Sequence, residues 1–207
     1  MSYLLRNWDV VLNLVLQHVG MTGSALFIAA AIALPLGWAL HPRPRLARAF
    51  TGCLGTIYTI PSIALIILLL PVFGLNARAV IAALILYNQV VLVRNVLAAL
   101  DGIDPSVLEA ARGMGMNSWQ IIWRVQLPLA LPVILAGVRV AAVVSVAIAA
   151  IGARFGAGGL GVLLFEGIAQ AGRMDKIWVG ALSAALLAGI ISRGIKWIEH
   201  EALRYRR

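Results

Sequence analysis

An all-α integral membrane protein with about five transmembrane helices is predicted by two features of this sequence. Of its 207 residues, 62% are hydrophobic and only 12% are charged, whereas charged residues make up about 25% of a typical soluble domain. Residues 21–40 and 51–77 contain no charged residue, and about 20 apolar residues suffice to cross a bilayer as a helix. Because every apolar segment is about as long as a membrane-spanning helix, residues 1–207 are predicted to form a single transmembrane domain.

The first 40 residues divide by pattern into an amphipathic segment and an apolar one. Arg6, Asp9, Asn13 and Gln17 recur on one helical face of residues 3–19, with Leu, Val and Trp on the rest. This pattern predicts a helix lying in the membrane interface. The following segment, 20–40, is longer than the apolar region of about 7–15 residues in a signal peptide. It is therefore predicted to be an uncleaved first span.

Four further spans are predicted, at 51–73, 78–100, 128–152 and 177–198. The span at 78–100, the third in the chain, contains Arg94, and the span at 128–152, the fourth, contains Arg139. An arginine inside a span costs about 2.5–3.5 kcal/mol on insertion scales, so it usually faces protein or water. Arg94 is close enough to its helix end to extend toward the interface. For Arg139 an interhelical partner and a role in a solute pathway are both open.

The basic residues predict the orientation of the chain. One side of the membrane collects ten of them and the other side five, and the positive-inside rule assigns the richer side to the cytoplasm. The N-terminus is then outside the cell and the C-terminus in the cytoplasm. The net charge of +9 is explained by this rule and by contact with membrane lipid, so nucleic acid is not an expected partner. The ten residues are Arg43, Arg45, Arg48, Arg112, Arg124, Arg193, Lys196, Arg204, Arg206 and Arg207.

A polar insert at 101–127 lies on the predicted cytoplasmic side. Asp104 followed by Pro105 is typical of a helix start, and Asn117 with Gln120 resembles a capping box. Glycines between them interrupt the helix, so two short helices meeting at a glycine corner are predicted. Trp119, Ile122 and Trp123 share a face of the second helix. Such a face indicates a docking surface, although an amphipathic connector resting on lipid headgroups has the same pattern.

The insert also carries a spaced motif. Glu109, Ala110 and Ala111 are followed after three residues by Gly115, and nine residues later by Val125-Gln126-Leu127-Pro128. This segment resembles the cytoplasmic loop of the inner-membrane permease subunits of ABC importers. The resemblance implies the type I ABC importer permease architecture with a cytoplasmic coupling helix, which docks on an ATP-hydrolysing subunit. The residues implied in coupling are Glu109, Ala110, Ala111, Arg112, Gly115, Trp119, Leu127 and Pro128.

Three other segments resemble the permeases that import osmoprotectants: 59–75, 127–139 and the glycine-rich 156–161. The substrates of that subgroup are quaternary amines such as glycine betaine, carnitine and choline. Methionine-type permeases share the five-span plan and remain an alternative. The resemblance implies a pair of ABC ATPase subunits, a second permease subunit and an external solute-binding protein as partners, and no cofactor.

Two sets of residues are further candidates for function. Tyr58, Pro61, Ser62 and Arg139 are expected along the translocation path, because Pro61 frees a backbone carbonyl inside a span; a simple kink in a packed helix is the alternative. The outside loop 153–176 is expected to receive the solute-binding protein, unless it is a re-entrant plug or a plain connector. Its candidate docking residues are Glu166, Arg173 and Asp175.

Two other classes of protein fit the sequence less well. A secondary transporter usually needs ionisable groups near the middle of the membrane, but all acidic residues and histidines fall in predicted loops or at span ends. A membrane enzyme would need a catalytic or metal-binding set, and none is evident. The chain also contains no G-x-x-x-x-G-K-[ST] motif, so ATP hydrolysis is expected from a separate subunit.

Overall fold

The computed structural model describes residues 2–204, with side chains for residues 3–202. Residue 1 and residues 205–207 lie outside the described part. They include Arg206 and Arg207, two of the ten basic residues that predict the cytoplasmic side. All regular structure between residues 2 and 204 is helical. In chain order the α-helices are α1 (Ser2–Arg6), α2 (Trp8–Leu40), α3 (Pro44–Thr59), α4 (Ser62–Phe73), α5 (Ala77–Asp101), α6 (Pro105–Gly113), α7 (Ser118–Ile121), α8 (Leu127–Gly152), α9 (Gly161–Ala169) and α10 (Met174–Arg204), with a π-helix at Ile122–Gln126 and a 3₁₀-helix at Ala153–Phe155.

Helix α2 runs without a break from Trp8 to Leu40. The prediction of a separate interfacial helix at 3–19, followed by a span beginning at residue 20, is therefore wrong at this boundary. No proline occurs before Pro35 to end the helix. The amphipathic part of α2 also packs on protein, since Val11 and Leu14 are buried in one cluster with Leu160 and Leu163.

Helices α3 and α4 form a bent pair where a second span containing Pro61 was predicted at 51–73. The two axes meet at 96°, across Ile60 and Pro61. Pro61 has no N–H to donate, and its ring disfavours helical geometry at the preceding residue. Ile60 accordingly adopts an extended backbone with ψ of 127°. The proline therefore breaks the helix here rather than kinking it.

Helix α5 lies at the centre of the bundle and packs against α2, α3, α4 and α8. Close packing depends on glycines in the neighbouring helices. A Cβ added at Gly37 of α2 would lie 2.3 Å from a methyl carbon of Val96, and one at Gly137 of α8 would lie 2.5 Å from the Asn95 side chain. Small residues of this kind let membrane helices approach closely.

Helix α10 packs on α8 and α9 and leaves a long apolar row exposed. Among the residues that the structure describes, four helices are long and apolar enough to cross a membrane, or five when the bent α3–α4 pair counts as one span. The predicted all-α membrane fold with about five spans is confirmed. The exposed row of α10 includes Trp178, Leu182, Leu186, Ile190 and Trp197.

Candidate functional site

The polar insert begins with helix α6, which starts as its sequence predicts. The Asp104 carboxylate accepts a hydrogen bond of 2.9 Å from the backbone N–H of Ser106, and this backbone hydrogen bond lowers the pKa of Asp104. Pro105 occupies the first turn, where its missing N–H costs nothing. Of the motif residues in α6, Ala111 is buried, whereas Glu109, Ala110 and Arg112 are exposed.

The corner after α6 depends on a single residue with left-handed backbone geometry. Gly115 has φ of +79°, and the N–H of Met116 returns to the carbonyl of Ala111 at 3.2 Å. A Cβ added at Gly115 would meet no atom within 4 Å. Glycine is therefore required here by the backbone conformation and not by a lack of space.

Helix α7 begins with the predicted capping box. Asn117 accepts from the N–H of Gln120, and Gln120 accepts from the N–H of Asn117, both at 2.9 Å. Trp119 and Trp123 stack edge to face with ring centroids 5.4 Å apart. The two indoles are 67% and 52% exposed. Helix α7 and the π-helix that follows it therefore present a large aromatic surface on the insert.

Helix α7 does not end before the fourth span, as had been expected at Leu127-Pro128. It continues through the π-helix into α8, and the N–H of Leu127 donates to the carbonyl of Ile122, five residues back. Pro128 offers no N–H to the carbonyl of Arg124 and its ring crowds that carbonyl, which gives a local reason for the wider turn. The indole N–H of Trp38 in α2 donates to the Gln126 side chain at 3.1 Å. The insert is thus continuous with α8 and tied to α2.

The expected path residues fall in two separate places. Tyr58 is exposed beside the α3–α4 bend, where its ring meets that of Tyr87 edge to face at 5.5 Å. The Tyr87 hydroxyl donates to the Ile60 carbonyl, and the N–H of Ile60 donates to the carbonyl of Ile57, four residues before Pro61, at 3.2 Å. Both carbonyls at the bend therefore have a protein partner. Pro61 is exposed and Ser62 is half-buried.

Arg139 lies away from the bend, between α8 and α10. Its guanidinium is 3.8 Å from the Glu199 carboxylate, so Arg139 has an interhelical partner. Glu199 was not among the predicted site residues, because a span end sixty residues away gives no local sign of this contact. Arg94, in contrast, donates to the carbonyl of Thr51 in α3 at 3.3 Å.

The three docking candidates in the 153–176 loop all form ion pairs. Glu166 binds the Lys176 ammonium at 2.9 Å, and Arg173 binds Asp175 at 2.7 Å. Arg173 and Lys176 also lie over the ring of Tyr3, at 5.9 and 5.3 Å from its centroid. A polar cavity of about 310 Å³ forms here, lined by Tyr3, Arg6, Asn7, Arg173, Asp175 and Lys176. The N-terminal residues were not predicted to join this site, although the predicted orientation places Arg6 on the same side of the membrane as this loop.

The glycine-rich segment of the same loop packs on α2. The Gly159 N–H donates to the Gln17 side chain at 3.0 Å, and the Leu160 N–H donates to Nδ1 of His18 at 3.2 Å. His18 is fully buried, and its Nε2 lies 3.1 Å from the Val146 carbonyl of α8. Gln17 and His18 of the amphipathic segment therefore bind this loop.

Comparisons with known proteins agree with this geometry. Residues 25–200 match the family model described as the binding-protein-dependent transport system inner membrane component. The chain is 37% identical to the osmoprotectant import permease protein OsmW of Salmonella typhimurium, covering 96% of this chain and 92% of that protein. It is 35% identical to the glycine betaine/carnitine/choline transport system permease protein OpuCD of Bacillus subtilis, covering 96% and 86%.

A solved structure of the MetNI methionine ABC transporter in an inward-facing conformation superposes with a TM-score of 0.86 and 25% identity, covering 94% of this chain and 97% of that one. Together with the five-span fold and the insert formed by α6, α7 and the start of α8, these matches define the class of protein. The chain belongs to the binding-protein-dependent transport system inner membrane components, the permease subunits of ABC importers.

Proposed function

We propose that this permease forms the translocation path of an importer for quaternary-amine osmoprotectants such as glycine betaine, carnitine or choline. The observation that carries the substrate class is the similarity, over nearly the whole chain, to permeases named for these solutes. Methionine is the second candidate, because the superposed structure belongs to a methionine transporter.

The proposed assembly has two permeases, two ATPase subunits and an external solute-binding protein, in the cell inner membrane. Five helices are few to enclose a solute path alone, so the path runs between two permeases. The N-terminus and the 153–176 loop face outward, while α6 and α7 face the cytoplasm. Glu166, Arg173 and Asp175 belong to the surface on which the solute-binding protein docks.

The proposed coupling element is the segment from α6 to the start of α8. Glu109, Ala110 and Arg112 are exposed on α6, and Trp119 of α7 forms an exposed aromatic pair with Trp123 of the π-helix. An exposed aromatic pair of this size suits insertion into a cleft on a partner. Since α7 continues into α8 through the π-helix, motion of the ATPase pair is transmitted along one helix to the membrane.

The proposed transport cycle follows from this continuity. ATP binding closes the ATPase pair and draws the two coupling segments together, which converts an inward-facing cavity into an outward-facing one. Tyr58, Pro61 and Ser62 at the bend, and Arg139 in the α8–α10 groove, line the solute path. The chain itself contains no phosphate-binding loop, so the purified subunit alone is expected not to hydrolyse ATP.

The experiment is uptake of labelled betaine, choline and methionine by the complex reconstituted in liposomes, with and without its solute-binding protein. Uptake of betaine or choline that requires both ATP and the binding protein is the expected result. Transport of methionine alone would overturn the substrate class, and uptake without ATP would overturn the mechanism.

A further inference from the structure

Arg139 and Glu199 form an incomplete ion pair. Their closest charged atoms are 3.8 Å apart, whereas charge-assisted N–H···O hydrogen bonds measure about 2.7–2.9 Å. Within the described residues, the buried Nε of Arg139 and the buried Oε2 of Glu199 have no hydrogen-bond partner. Buried charged groups normally have such partners, because leaving them unbonded is costly.

Arg139 borders an open groove between α8 and α10, and Glu199 of α10 stands beside it. The groove measures about 260 Å³ and is lined by Arg139, Val140, Val143, Val144 and Ser192. Val140 is 52% exposed and Val143 is 38% exposed, so no other part of the described chain covers the groove. The groove therefore combines apolar walls with one cation, Arg139, whose neighbouring anion, Glu199, is only loosely paired with it.

A zwitterion matches this combination better than a singly charged ligand. A guanidinium binds a carboxylate through two parallel hydrogen bonds, while a quaternary ammonium group suits an apolar wall beside a carboxylate. A simple cation would meet Glu199 but leave Arg139 without an anion. An anionic lipid headgroup would meet Arg139 but bring a second negative charge toward Glu199.

We propose that Arg139 and Glu199 form a subsite for a zwitterionic solute, with Arg139 binding its carboxylate and Glu199 facing its quaternary ammonium group. This inference rests on the proposed function and deepens it. Arg139 then favours solutes that carry a carboxylate, such as betaine and carnitine, over choline, which has none. The subsite acts after the binding protein has delivered the solute.

The test compares uptake of betaine and choline by the complete reconstituted complex carrying R139Q, normalised to the amount of permease in the membrane. The same binding protein serves all variants, so its own preference cancels in the comparison with wild type. We expect betaine uptake to fall about tenfold, the equivalent of one charged hydrogen bond, while choline uptake changes less than about twofold. R94Q is the matched control, because it also removes an arginine from a span but lies outside the groove, and it should leave the betaine-to-choline ratio unchanged.

Equal loss of both solutes in R139Q would overturn the subsite, since an interhelical or lipid-binding role does not distinguish them. An unchanged betaine-to-choline ratio would overturn it as well. If R139Q fails to reach the membrane, R139K serves instead: it keeps the charge but loses bidentate geometry, so the KM for betaine should rise more than that for choline. A wild-type complex that imports neither solute would refute the proposed function instead.

Discussion

At the scale of single residues, the polar groups of this membrane protein have identifiable tasks. Arg94 and Arg139 both lie in spans, yet the first reaches a backbone carbonyl of α3 and the second a carboxylate of α10. Asn88 and Ser145 are buried and bond each other at 3.0 Å between α5 and α8. The Asn88–Ser145 bond thus joins two helices through buried polar groups, which adds specificity to otherwise apolar packing.

Gly115 gives a prediction at this scale. Replacing it with Val forces a β-branched residue into φ of +79°, a conformation that costs an L-residue about 1–2 kcal/mol. We expect the α6–α7 corner to deform, so that uptake is lost while membrane insertion stays normal. The measurement is labelled-solute uptake alongside the amount of permease in the membrane.

Gly113 provides the matched control, because it is also exposed and has open space around its Cβ position, but it is not among the positive-φ residues. Gly113→Val should therefore transport far better than Gly115→Val. Normal uptake by Gly115→Val would refute the role of the corner in coupling.

Gly159 gives a second prediction. A Cβ there would lie 2.9 Å from Nδ1 of His18, at φ of +77°, so Gly159→Ala should separate the glycine-rich loop from α2. Gly172 shares the left-handed φ but has no atom within 4 Å, and Gly172→Ala isolates the backbone strain. We expect the melting temperature of the detergent-solubilised protein to fall by at least about 4 °C more for Gly159→Ala than for Gly172→Ala. Equal melting temperatures would mean that the contact with His18 contributes nothing measurable.

At the scale of elements, the π-helix joins the polar insert to the fourth span. It sets the rotation of α7 and its tryptophan pair relative to α8, since each residue of an α-helix turns by about 100°. The bond from Trp38 to Gln126 holds this junction against α2. Uncommon π-turns of this kind are frequent at functional sites.

Substitution of Pro128 tests the role of the π-helix. Pro128→Ala restores an N–H that can donate to the carbonyl of Arg124, so the π-turn should tighten and rotate the Trp119–Trp123 pair. We expect uptake to fall by about fivefold or more, with ATP hydrolysis less dependent on solute-loaded binding protein. Pro105→Ala is the control, because Pro105 stands in the first turn of α6, away from any π-turn. Wild-type uptake by Pro128→Ala would refute the importance of the junction.

At the scale of the whole molecule, the orientation in the membrane determines which partner each of the two functional surfaces faces. If the N-terminus is outside, the Tyr3–Lys176 cavity faces the solute-binding protein and the tryptophan pair faces the ATPase. The chain has a single cysteine, Cys53, so Cys53→Ser gives a background in which new cysteines report their own position.

Gln170→Cys and Ser118→Cys test this arrangement, because both positions are exposed and lie on opposite predicted sides. We expect a membrane-impermeant maleimide to label only Gln170→Cys in intact spheroplasts, and both after the membrane is opened. Labelling of Ser118→Cys alone would reverse the proposed orientation. Cross-linking of Glu166→Cys to the binding protein should follow the same sidedness, with Ser118→Cys as the negative control.

The sequence by itself determined the features that depend on neighbouring residues. The apolar segments, the cap at Asp104, the box at Asn117 and the glycine corner all follow from hydrogen bonds and backbone limits within a few residues. The spaced motif from Glu109 to Pro128 also indicated the correct family. These features are local, and local rules are enough to predict them.

Only the tertiary structure decided the features that depend on how helices pack. The 96° angle between α3 and α4, the binding of Gln17 and His18 to the glycine-rich loop, and the pairing of Arg139 with Glu199 all depend on contacts between separate parts of the bundle. Periodicity states which residues share a face of one helix but not which helix that face will meet. The partner is chosen by close packing and by the cost of leaving buried polar groups unbonded, and both depend on the whole bundle.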